Sequence, residues 1–176
     1  MEVCGRVFER ESSNSTRLAE LLDYYRRNGR TSDMARILWL YVDQTNATGV
    51  EAAWCVYYSL LCGTNVSPAQ TLALRVYDKA PQNPRHRVAY AFALLRQQRF
   101  EEALKLVENI DAPDLTGMQV TLVEASALLE LGRKDEARNI LKKFTAVNAV
   151  PEEINFAATL FRQAGLSSAV NAFTLK

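Results

Sequence analysis

Four alanines stand 34 residues apart, at Ala35, Ala69, Ala103 and Ala137. Three residues beyond them come Leu38, Leu72, Leu106 and Ile140, and seven beyond come Val42, Val76, Ile110 and Phe144. Small-then-large spacing of this kind marks one face of a helix, and a fixed period of this size marks an array of helix pairs. The alanine slot has a steric reason. Where two helices meet at a tight turn, a small side chain lets the backbones approach, and larger residues one and two turns on fill the widening gap. No segment alternates with the two-residue period of a strand. The expected fold is therefore all-α, a right-handed α-α superhelix (solenoid) of antiparallel helix pairs with a 34-residue period.

Punctuation along the chain agrees. Residues 1–14 are polar and weakly patterned and are expected to be a poorly structured lead-in. Residues 15–176 then read as one domain with pairs at about 16–45, 50–79, 85–110, 116–145 and 151–175. Gly29, Gly63, Gly132 and Gly165 each follow an apolar helical stripe and are expected to stop a helix in the left-handed conformation. Thr31, Ser32 or Asp33 is expected to cap the second helix of the first pair, and Ser67-Pro68-Ala69-Gln70 reads as a capping box. In pairs one and two an extra residue separates the Gly from the Ala, and the period slips to 32 between Ala137 and Ala169.

Residues 16–146 resemble the tetratricopeptide repeat family. The 34-residue period, the Ala-x3-large signature (Ala35 with Trp39, Ala103 with Val107, Ala137 with Leu141) and the turn Leu131-Gly-Arg-Lys-Asp-Glu-Ala137 carry the likeness. The family's Trp-x2-Leu-Gly-x2-Tyr pattern is not kept in any pair. The resemblance implies that the first helices of successive pairs line a concave groove that holds a partner segment.

Composition narrows the chemistry. The net charge is +1 and both halves of the chain are balanced, so the basic excess needed to neutralise phosphates is missing and no nucleic-acid partner is expected. Cys4, Cys55 and Cys62 are odd in number and form no CxxC; Cys55 and Cys62, seven apart, read as small core residues. His86, the single histidine, reads as a solvated residue at a helix entry. The acidic pairs Glu101/Glu102, Asp135/Glu136 and Glu152/Glu153 open helices, where negative charge favours the dipole. No phosphate loop, nucleophile motif or metal-ligand cluster is present in the sequence, so no catalytic residue, cofactor or metal is expected. No run reaches the roughly 18 apolar residues of a membrane span, and a cytoplasmic protein is expected.

The remaining function is binding. Projection at the repeat period gives three rows on the first helices: Tyr24, Tyr58, Phe92 and Ser126; Glu20, Trp54, Val88 and Leu122; and Arg17, Glu51, Arg85 and Gln119. A one-residue shift in the second pair exchanges Tyr58 for Tyr57. Tyr24, Trp54, Tyr57, Tyr58, Arg85 and Phe92 are thus the candidate contacts to a protein or peptide partner, although each ring could equally pack between helices. Relatives that clamp a chaperone's terminal carboxylate use Lys, Arg and Asn where these rows hold rings, so that activity is not expected. The alternative is a structural role. Phe156, Leu160, Phe161, Leu166, Val170 and Phe173 make the last helices apolar for a terminal cap, which would suit a homodimer or packing against further chain.

Overall fold

A computed structural model describes residues 15–110 and 115–174, and of these it gives side chains for all but 115, 116 and 171–174. The expected lead-in, Cys4 and the Phe173 ring lie outside the described residues. Among the described residues the regular structure is entirely helical. The helices are α1 (Ser15–Arg27), α2 (Thr31–Thr45), α3 (Val50–Cys62), α4 (Val66–Lys79) and α5 (Pro84–Arg96), followed by α6 (Phe100–Val107), α7 (Leu115–Glu130), α8 (Lys134–Leu141), α9 (Pro151–Gln163) and α10 (Ser167–Thr174).

Neighbours in sequence pack on each other, and α3, α5 and α7 also pack side by side. The second helices α2, α4 and α6 each wedge between consecutive first helices. Three repeat alanines sit in these wedges, Ala35 at 1% exposed and Ala69 and Ala103 at 0%; the fourth, Ala137, is 0% exposed where α8 packs on α7. A continuous apolar core runs through the first four pairs.

The turns explain why the period holds. Gly29, Gly63, Gly132 and Gly165 all take positive φ, between 63° and 79°. The residue after each returns a backbone bond to the carbonyl five positions earlier, as in Arg30 to Tyr25 at 2.8 Å and Arg133 to Leu128 at 2.8 Å. The third pair makes the same turn without glycine. Gln98 takes φ 61° there, and Arg99 bonds Leu94 O at 3.0 Å.

The caps differ from the sequence expectation. Thr31 is the first residue inside α2, and the cap position belongs to Arg30, whose guanidinium bridges Asp33 at 2.7 Å. The pattern recurs as Arg99–Glu102 and Arg133–Glu136, both at 2.6 Å. An arginine–acid clamp thus replaces a hydroxyl cap at three of the second helices. Nor is Ser67 a cap: α4 starts at Val66 behind a left-handed Asn65, so Ser67 and Pro68 lie within its first turn. Proline is tolerated there because the first four helical N–H groups have no partner within the helix. The extra residue of pair one lies inside α2, whereas that of pair two lies in the turn.

His86 is a further correction. It is 3% exposed rather than solvated, and its Nδ1 lies 2.8 Å from the Val76 carbonyl oxygen at the joint of α4 and α5. Burial lowers its pKa.

The last pair breaks the stacking pattern. Instead of continuing the array beyond α8, α9 packs on α7 and reaches back to α3. Its C-terminal half, with α10, forms a second apolar cluster around Leu122, Leu141, Leu160, Phe161 and Val170. Arg138 of α8 ties this end down, donating through Nε to the Ala164 carbonyl oxygen at 2.7 Å.

Candidate interaction groove

The first helices present a row of rings, and α9 lies across them. Tyr58 and Tyr57 meet edge to face on α3 with centroids 5.3 Å apart, and Tyr57 lies 5.3 Å from Phe92 of α5. Phe156 of α9 stacks on the far side of Phe92 at 5.7 Å, with planes 17° apart. Arg96 covers another part of the Phe92 ring at 5.5 Å and donates to the Leu60 carbonyl oxygen at the end of α3. The central members of the projected aromatic row, Tyr58 and Phe92, with Tyr57, are buried against α9 and neighbouring helices.

The N-terminal turn of α9 carries a polar lock. Glu153 is 1% exposed. Its carboxylate accepts the Val150 N–H at 2.9 Å and a longer bond from Gln119 Nε2 at 3.4 Å. The Tyr57 hydroxyl lies beside the same carboxylate without an aligned bond, and the Arg26 guanidinium is drawn toward both Glu153 and the Tyr58 hydroxyl. Burial raises the pKa of Glu153, and the Val150 N–H, Gln119, Tyr57 and Arg26 pull it down in part. Burial raises Tyr57 and Tyr58 as well, with the Glu153 charge adding to both. Beside this cluster Thr31 donates to the Glu152 carboxylate, and the Pro151 ring packs where a side chain on Gly29 would stand.

The six candidate contacts therefore divide. Tyr57, Tyr58 and Phe92 are at most 2% exposed, under α9 and neighbouring helices. Tyr24 is 49% exposed on α1, while Trp54 and Arg85 are half-buried. Gln119, projected in the third row, joins the lock. Glu153 was missed, because an acid in a helix's first turn has an ordinary solvated explanation and nothing local reports that a distant helix covers it. Cys55 is buried in the core, and burial pushes the pKa of both Cys55 and Cys62 up.

Residues 63–144, which span α4 to α8, match the family model of the anaphase-promoting complex, cyclosome, subunit 3. Helix pairs, left-handed turns, buried alanines and this match coincide. The fold is a tetratricopeptide-type helical repeat. Such repeats typically mediate protein–protein interaction and are generally non-catalytic scaffolds. The α9 lock lies beyond the matched residues. No curated protein and no solved structure gives a significant match to the chain. Among the described residues of the repeat, no helix is long and apolar enough to cross a membrane.

Proposed function

We propose that the chain is a non-catalytic interaction scaffold whose first helices receive a segment of a protein partner. One observation carries this reading: the first helices already accommodate a further helix, α9, through ring stacking and a buried carboxylate. A surface that seats one amphipathic helix has the apolar floor and the polar anchors that another requires. Tyr24, exposed on α1, and the half-buried Trp54 of α3 extend that face beyond α9, with Arg85 at its edge. Tyr57, Tyr58 and Phe92 join only when α9 lifts.

The alternative is self-assembly through the apolar C-terminal helices, and we favour it less because part of their apolar surface is already used. Leu160, Phe161 and Val170 are 2%, 6% and 5% exposed because α7, α8 and α10 cover them within one chain. The test is site-specific photo-crosslinking from positions 24 and 54 in lysate of the source cell, with an exposed α4 position, 74, as control. Partners joined at 24 and 54 but not at 74 support the reading. Capture at all three alike, or at 74 alone, contradicts it.

A further inference from the structure

The lock on α9 is built as a binding site and is incompletely filled. Arg26 from α1, Tyr57 and Tyr58 from α3 and Gln119 from α7 converge on a single carboxylate. With Glu153 in place, the Arg26 Nε and the Tyr57 hydroxyl are still buried without an aligned partner. Buried donors are normally paired, and leaving one unpaired is costly. The Tyr57 hydroxyl still acts on Glu153 from beside it, and the resident leaves the Arg26 Nε without an aligned acceptor. Phe92 provides the apolar floor one helical turn further along, because Glu153 and Phe156 are three residues apart on α9.

The resident meets the repeat through two distinct patches. Val150 and Phe156 pack on the core of the first four pairs, at the site, whereas the C-terminal half of α9 packs with α10 on Leu122, Ala125 and Leu141 of α7 and α8. A connector, residues 142–150, leads from α8 into the first patch. It exposes Lys142, Lys143 and Val147 and turns through a left-handed Asn148.

We propose that the Arg26–Tyr57–Tyr58–Gln119 site with Phe92 reads a partner helix presenting an acidic side chain followed one turn later by an aromatic ring, and that α9 is the occupant such a partner displaces. This rests on the scaffold reading above and adds the chemistry of the partner and the built-in competitor. A resident helix lowers the apparent affinity for any rival by the fraction of time the site stands open. Weakening the resident's own grip should therefore strengthen binding in trans.

The test uses the full chain and, as probe, a fluorescent synthetic peptide with the sequence of residues 149–164. The wild-type chain is compared with one carrying Glu153→Ala and Phe156→Ala. The expected result is affinity for the variant at least roughly tenfold higher than for wild type, and loss of binding when the peptide itself carries the same two changes. A variant with native helix content by circular dichroism that takes the peptide no better than wild type would overturn the proposal. Conversion of the variant to a dimer that no longer takes peptide would overturn it too, by assigning the site to a second copy. If the variant loses helix, hydrogen exchange on the wild type decides. Exchange of α9 amides while α3 to α7 stay protected supports displacement, and exchange of α9 only with the whole chain excludes it. Failure here with partners still crosslinked at 24 and 54 would leave the scaffold reading standing.

Discussion

Phe156 and Phe92 lie 64 positions apart in sequence and stack with centroids 5.7 Å apart and planes 17° from parallel. The pair closes the row of rings that begins at Tyr58 and buries it within the fold. Deleting Phe92 should cost about 3–5 kcal/mol, because the ring is buried among Tyr57, Arg96 and Phe156. A double-mutant cycle of Phe92→Ala with Phe156→Ala in urea denaturation should give a coupling of about 0.5–1.5 kcal/mol beyond additivity. Additive losses would mean that the rings do not meet in solution.

Glu153 makes α9 seating sensitive to pH. Its folded pKa is raised, so the native chain holds the proton more tightly than the unfolded chain does. That contribution is complete below the unfolded value of 4.5 and is lost as pH rises through the folded value. Glu153→Gln keeps an oxygen for the Val150 N–H and removes the charge. Its denaturation midpoint should fall less than that of wild type between pH 4.5 and pH 7, and at pH 7 it should equal or exceed the wild-type value. A variant clearly weaker at pH 7 would show that Arg26 makes the ionised form the favoured one.

Gln98 occupies a left-handed position that the equivalent turns give to glycine. A side chain there strains the backbone by about 1–2 kcal/mol, while glycine adds freedom to the unfolded chain. Gln98→Gly should therefore raise stability by about 0.5–1 kcal/mol net, read as an upward shift in thermal midpoint. A lower midpoint would mean that the freedom glycine gives the unfolded chain outweighs the strain it relieves.

Ala103 lies completely buried at the joint of α5, α6 and α7. Ala103→Leu should overpack the joint and cost about 1–3 kcal/mol by chemical denaturation. Leu74, 47% exposed on α4, supplies the contrast. Leu74→Ala should change stability by less than about 0.5 kcal/mol.

The repeated parts of this fold are legible in one sequence because repetition substitutes for comparison. Ala35, Ala69, Ala103 and Ala137 report the same close approach four times, and the glycines report the same turn. Gln98 escaped because the turn geometry, not the residue type, is what recurs. His86 was misread because the entry of α5 is covered by α4, a relation that helical periodicity does not encode. The same limit explains the site. Periodicity brought Tyr58 and Phe92 into one row, but α9 leaves the period after Ala137, and where a non-repeating helix docks depends on contacts far away in sequence. Glu153 and Gln119, 34 residues apart, meet only because α9 turns back.

That return of α9 can be tested with a native thiol. Glu152 lies close enough to Cys62 for its charge to raise the thiol pKa, although 90 residues separate them. In a chain carrying Cys4→Ser and Glu152→Cys, a short bismaleimide should join positions 62 and 152 within a single chain, identified by mass spectrometry of the monomer. A folded monomer with no such link, or a link found only between two chains, would contradict the seating of α9 across its own repeat.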